Sequence, residues 1–146
     1  MNFKSMYAIM ALAMGMSFVS CSDDEGGKSS SNEELTDTEM IVSGVWKSGE
    51  VINLDRHLVV PEGESLTIEP GVTVIVSDQG VGVNHVPIEI SVKGNLYVLG
   101  TESKPVTFSV SPSLRTKENT FAGLWGGIVA YESCTEMAID HAIIEY

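Results

Sequence analysis

The stretch Leu66-Thr67-Ile68-Glu69-Pro70-Gly71-Val72-Thr73-Val74 decides the fold. Leu66 and Ile68 alternate with Thr67 and Glu69, the two-residue period of a strand with one face inward. Pro70-Gly71 then turns the chain, because proline presets φ and glycine accepts backbone angles closed to other residues. Val72, Val74 and Val76 resume the alternation at once. A strand, a sharp corner and a second strand follow one another with no residues left over for a helix.

The pattern recurs. Gly94-Asn95-Leu96-Tyr97-Val98-Leu99-Gly100 again sets two inward aliphatics between glycines. It also leads to a second aliphatic strand, Val106-Thr107-Phe108, as the first copy leads to Val72-Thr73-Val74. Self-similarity at a period of about thirty residues points to a solenoid. In such a coil each rung bonds to the rung above and below, and inward Val, Ile and Leu stack in columns.

Working outward, Ser43-Gly44-Val45-Trp46, Glu50 to Leu54 and His57 to Val60 read as earlier strands, with Trp46 covering the first rung. Ser77 to Pro87 is a loop. Ile88, Ile90 and Val92 alternate with Glu89, Ser91 and Lys93 as a half-buried strand. Ser111 to Thr120 is a second, polar loop. Leu124 to Ala130 and Met137 to Tyr146 are expected to supply two more strands, and no segment after residue 20 holds a 3.6-residue period. The chain is therefore all-β, and the expected architecture is a right-handed parallel β-helix. The alternative is an antiparallel β-sandwich, which calls for hairpin dipeptides such as Asn-Gly or Asp-Gly; neither occurs.

These motifs, together with Pro105-Val106-Thr107-Phe108 and Leu124-Trp125-Gly126-Gly127-Ile128, resemble the N-terminal coils of bacterial surface β-helix proteins over roughly residues 45–146. The resemblance implies fold and leaves activity open, since such folds host binding, structural and enzymatic members. Family members continue for further coils. The strand pattern from Ile139 to Tyr146 has no cap, so the chain reads as an N-terminal piece of a longer protein.

The first twenty residues read as an address. Lys4 precedes an apolar run from Ala8 to Phe18, about eleven residues where a spanning helix needs about 20. Phe18-Val19-Ser20-Cys21 resembles the lipobox of bacterial lipoproteins, with Phe where Leu is usual. By that resemblance, cleavage falls before Cys21 and the cysteine carries the acyl chains, palmitate among them. Ser22-Asp23-Asp24-Glu25 resembles the acidic signal that marks lipoproteins of some Gram-negative anaerobes for the outer face of the outer membrane. Residues 26–40 are mostly Gly, Ser, Asn, Thr and acid, with almost no apolar residue except Leu35, a composition that cannot bury enough surface to fold alone. The expected organisation is a signal peptide over residues 1–20, a lipidated Cys21 and acidic tether over 21–40, and the β-helix over 41–146.

Eight basic against 20 acidic residues give a net charge of −12, which argues against nucleic acid as a partner. A glycan met through hydrogen bonds and stacking suits this charge, and the lipid on Cys21 makes the membrane the other partner. Tyr97, outward between Leu96 and Val98, and Trp125 are the candidate sugar contacts; Trp125 reads equally as a corner or core residue. Glu132, Glu136, Asp140, His141 and Glu145 show no acid pair on one strand face. With His57 and His85 lacking spaced partners, we assign no metal, no cofactor and no catalytic residue. Cys134 reads as a small buried hydrophobe. The expected function is a cell-surface lipoprotein whose β-helix binds a glycan or polymer. The alternatives are the N-terminal part of a carbohydrate-active enzyme, of polysaccharide lyase or glycoside hydrolase type, and an adhesin-like stalk.

Overall fold

The computed structural model describes residues 37–146, and the acylation and export signals at Cys21 and Ser22 to Glu25 lie outside them. Among the described residues twelve strands wind through four rungs of three. Rung one is β1 (Glu39–Ile41), β2 (Gly44–Trp46) and β3 (Val51–Leu54), and rung two is β4 (His57–Val60), β5 (Ser65–Ile68) and β6 (Thr73–Val76). Rung three is β7 (Glu89–Val92), β8 (Asn95–Leu99) and β9 (Val106–Val110), and rung four is β10 (Gly127–Ala130), β11 (Met137–Asp140) and β12 (Ala142–Ile144). Every third strand stacks, giving three parallel sheets: β1-β4-β7-β10, β2-β5-β8-β11 and β3-β6-β9-β12. The fold is a right-handed parallel β-helix, the hand that twisted strands impose on parallel crossovers.

The register bears out the repeat. Leu66 pairs with Leu96 and Ile68 with Val98, while Thr73 pairs with Thr107 and Val74 with Phe108. Columns of inward side chains follow: Leu58 with Ile90, Leu66 with Leu96, and Val74 with Phe108, all buried to within 2 %. Each such side chain contributes about 1.5–3 kcal/mol on leaving water. Trp46 stands under Ile68 on the first rung and packs on the core, as expected of a cover. On the fourth rung, inward Met137 and Ile144 are covered on one side and keep 41 % and 50 % of their surface.

Two glycines show how the corners work. Gly71 adopts φ +81°, the left-handed turn expected of the Pro-Gly corner. The corner is pinned to the rung below, where Lys47 Nζ and the Ser48 N–H donate to the Glu69 carboxylate at 3.0 and 2.9 Å and Ser48 Oγ donates to Pro70 O at 2.6 Å. Gly94 serves a different need: a Cβ there would overlap the carbonyl oxygens of Pro61 and Glu64.

The structure differs from the expected elements in three places. Strand β1 takes in Glu39 and Met40, and Met40 packs on the core, so pairing starts before residue 41. β10 begins at Gly127 rather than Leu124, because Trp125 turns inward and Gly126 N–H bonds Ile88 O at 2.6 Å. The expected strand from Met137 to Tyr146 is two strands, broken at His141 with φ +45°. There Gly100 and Val106 of the rung below donate to the carbonyls of Asp140 and His141, so the chain follows the earlier corner. The two long loops, 77–88 and 111–126, both run from the third sheet to the first in successive rungs, so they emerge at the same corner of the coil.

Candidate functional site

Tyr97 lies at the middle of the outward face of the second sheet. Its column runs Val45, Thr67, Tyr97, Ala138, one residue per rung. Adjacent rungs lie about 4.8 Å apart, so the ring has the short side chains of Thr67 and Ala138 on either side and no bulky neighbour along its column. Its hydroxyl donates to Glu136 Oε2 at 2.8 Å. That bond, then partial burial and the negative charge of Glu136, hold the phenol above its usual pKa. Tyr97 therefore stays neutral, and its free lone pairs remain acceptors.

Asn95 positions the partner. Its Oδ1 accepts from Thr135 Oγ1 and from the Glu136 backbone N–H, both at 2.9 Å. Ser133 Oγ donates to Lys93 O at 2.8 Å, tying the same turn to rung three. The aromatic ring is thus fixed from the next rung rather than left to rotate. Further along the face Lys47 and Glu69 form an ion pair at 3.0 Å. The Ser48 N–H first, and Lys47 second, hold Glu69 below the ordinary carboxylate range. Among the described residues the surface has no enclosed cavity, so the site is an open face.

A family model described as a pectate-lyase like beta helix domain matches residues 38–137. The chain belongs to the pectate-lyase-like β-helix family. No curated protein and no solved structure matches it. The match covers all of β1 to β10, including Tyr97 and Glu136.

Within this pectate-lyase-like β-helix, Trp125 takes the corner role. It is 8 % exposed, belongs to the core, and donates its Nε1–H to Glu145 O at 3.0 Å. A sugar could reach no open face of that ring. The acidic residues near the end of the chain have separate duties: Glu136 accepts from Tyr97, and Glu145 accepts from the buried Ser109 hydroxyl at 2.8 Å. Among the described residues no three His, Cys, Asp or Glu gather as a metal site. Cys134 is half-buried against the core, with Sγ 3.6 Å from Glu136 O. His85 turns back at φ +50° to put Nδ1 2.8 Å from Gln79 O, which shapes the first long loop.

Sequence reasoning missed a group on the first sheet. His57, Glu89, Ser91 and Tyr131 hydrogen-bond to one another across three rungs. Residues 57 and 131 are far apart in the chain, and only the register brings them together.

Proposed function

We propose that this chain is a lipid-anchored surface protein whose β-helix holds a polysaccharide along its outer strand face. The carrying observation is Tyr97, an aromatic ring fixed by Glu136 on an open face with Thr67 and Ala138 beside it. An aromatic held in this way can stack on the C–H face of a sugar, and the family's polysaccharide association supports that ligand class. An open face with neighbouring columns suits a polymer that crosses several rungs better than an enclosed small molecule. A glycan array with the wild type and Tyr97→Ala tests this. Stacking of this strength predicts binding weaker by roughly two- to tenfold in the variant. Equal binding would remove Tyr97 from the site, and an array with no glycan bound would favour the stalk.

The membrane part of the proposal rests on Phe18-Val19-Ser20-Cys21 and on Ser22-Asp23-Asp24-Glu25. In this reading Cys21 is acylated, the acidic residues direct export, and the tether holds the β-helix outside the outer membrane. Protease treatment of intact cells should release the β-helix; a fully protected domain would refute surface exposure. A second reading, the N-terminal part of a carbohydrate-active enzyme, draws support from the lyase named in the family description. Eliminative cleavage of a uronate polysaccharide by the purified chain would favour it.

A further inference from the structure

The two long loops at the corner between the third and first sheets, residues 77–88 and 111–126, hold apolar side chains out in water. Val83 keeps 94 % of its surface and Phe121 97 %, while every other exposed large hydrophobic among the described residues keeps 58 % or less. The exposure is built. In the first loop Val81 is buried in the core and exchanges backbone bonds with Val86 at 2.8 and 3.0 Å, so the turn 82–85 carries Val83 at its tip. In the second loop Leu114 packs on the core, Asn119 Nδ2 donates to Leu114 O at 2.8 Å, and the Ala122 N–H closes a turn on Asn119 O at 3.0 Å. Phe121 stands in that turn. A Cβ at Gly82 or Gly123 would meet nothing within 4 Å, so both tips stand clear of the coil.

The corner also differs in charge from the rest of the chain. Its loops carry Asp78, Arg115, Lys117 and Glu118, two acids against two bases, where the whole sequence has 20 acids and 8 bases. An anionic surface repels most of this protein and does not repel this corner. In the lipid-anchored reading above, the chain is held beside such a surface. The sixteen residues 21–36 span at most roughly 55 Å when fully extended, so acyl chains on Cys21 keep the coil close to the bilayer.

We infer that this loop corner docks on the bilayer that holds Cys21, with Phe121 and Val83 entering the boundary between headgroups and acyl chains and Lys117 meeting the phosphates. Interfacial segments pair apolar and aromatic side chains with Lys or Arg in this way. Two apolar side chains bind a membrane only weakly from solution. Here the contact is intramolecular once Cys21 is acylated, so a weak affinity is enough. The corner borders the first and third sheets and not the second. Docking therefore leaves the second sheet, with Tyr97, facing the medium, where a polymer can reach it. The inference rests on the lipid-anchored reading and adds an orientation to it.

The test uses the full chain extracted from membranes with its acyl groups. It is placed in vesicles of phosphatidylethanolamine and phosphatidylglycerol, with plain or brominated acyl chains. Bromine quenches an indole that enters the acyl boundary. Phe121→Trp and Val83→Trp each put a reporter at one tip, and Thr67→Trp puts one on the second sheet. Wild type, whose Trp46 and Trp125 pack on the core, sets the background. Both tips are exposed, so the two substitutions leave the packing alone, and circular dichroism checks each fold. We expect quenching beyond the wild-type loss at one or both tips and none beyond it at Thr67→Trp. An acylated, vesicle-bound chain with no added quenching at either tip overturns the inference and leaves the anchor in place. Equal quenching at Thr67→Trp also overturns it, since the coil would then have no fixed orientation. So does a blue shift at the tips that grows with protein concentration and is not quenched, which would mark contact with a second copy. If mass spectrometry finds no acyl group on Cys21, the lipid-anchored reading falls and takes the inference with it.

Discussion

Gly94→Ala should destabilise the coil through contact, not through torsion. A Cβ at position 94 would overlap the carbonyl oxygens of Pro61 and Glu64, which belong to the corner one rung below. Those oxygens are engaged: Glu64 N–H bonds Pro61 O at 3.1 Å and Asn95 N–H bonds Glu64 O at 2.9 Å. Gly94 N–H itself bonds Val60 O at 3.0 Å. Relief requires the third-rung corner to lift until the contact reaches the ordinary range, which begins at 3.4 Å. That movement breaks the bonds from Gly94 and Asn95 and leaves backbone groups unpaired, at about 1–3 kcal/mol each. The lower unfolded-state entropy of alanine returns about 0.4–1 kcal/mol, so the net loss is about 3 kcal/mol. Gly71→Ala is the control. Its Cβ would meet Lys104 Cβ at an ordinary 3.7 Å, and only φ +81° resists the change, at about 1–2 kcal/mol. In urea denaturation followed by circular dichroism, a slope of about 2 kcal/mol/M turns these into midpoint shifts of about 1.5 M for Gly94→Ala and about 0.5–1 M for Gly71→Ala. A Gly94→Ala shift no larger than that of Gly71→Ala would show that rungs are free to separate at this corner and would refute the argument.

Three further outcomes follow from the packing and the charges. Phe108→Ala empties a fully buried place between Val74 and Ile144 and should cost about 3–5 kcal/mol by the same denaturation; a loss under about 1 kcal/mol would mean the column collapses to fill it. Glu145→Ala leaves the buried Ser109 hydroxyl without its acceptor, whereas Ser109→Ala leaves a carboxylate that water can reach, so the first should cost more, about 1–3 kcal/mol, and the reverse order in paired melts would contradict this. Glu69 is held below the ordinary carboxylate range by Ser48 N–H and Lys47. Its stabilising effect is therefore present above the unfolded carboxylate pKa and is lost as pH falls through the lower, folded value. The Ser48 amide resonance should titrate with a midpoint below about 4.3, and a midpoint at or above that would refute the pinned corner.

The fold was legible because glycine corners and two-residue alternation survive from rung to rung. Leu66-Thr67-Ile68 and Leu96-Tyr97-Val98 pair residue for residue in the coil, as their likeness suggested. The corners were less legible. Gly63 and Gly94 look equivalent, yet Ser65 pairs with Asn95, which places Gly94 opposite Glu64. Gly63 is needed for φ +77°, while Gly94 is needed for the close approach of another rung. The break at His141 was hidden because Ile139 to Tyr146 alternates well enough for one strand, and only the corner below at Gly100 dictates the turn. Tyr97 was visible as an outward aromatic. Its partner Glu136 was not, because a hydrogen bond between successive rungs leaves no short-range motif.

The same geometry explains why two tyrosine–glutamate pairs join residues far from each other in sequence and are similar in construction. Tyr97 is held by a glutamate of the next rung, and Tyr131 holds a glutamate of the previous one. In a parallel coil, residues one rung apart, here 39 and 42 positions along the chain, become neighbours, with rungs about 4.8 Å apart, so a tyrosine and a carboxylate can meet wherever both face outward. A site assembled this way is shallow, since each rung contributes about one side chain per column and the coil is already filled inside. Affinity for a single sugar is then limited to one ring and one or two polar groups. A polymer that crosses several rungs changes this, because a second contact becomes intramolecular once the first is made. Tyr97→Ala should therefore weaken a long polysaccharide by a larger factor than a short oligosaccharide that can bind through another contact alone. Identical losses on both lengths, measured by competition with oligosaccharides of increasing size, would show that the polymer makes no second contact.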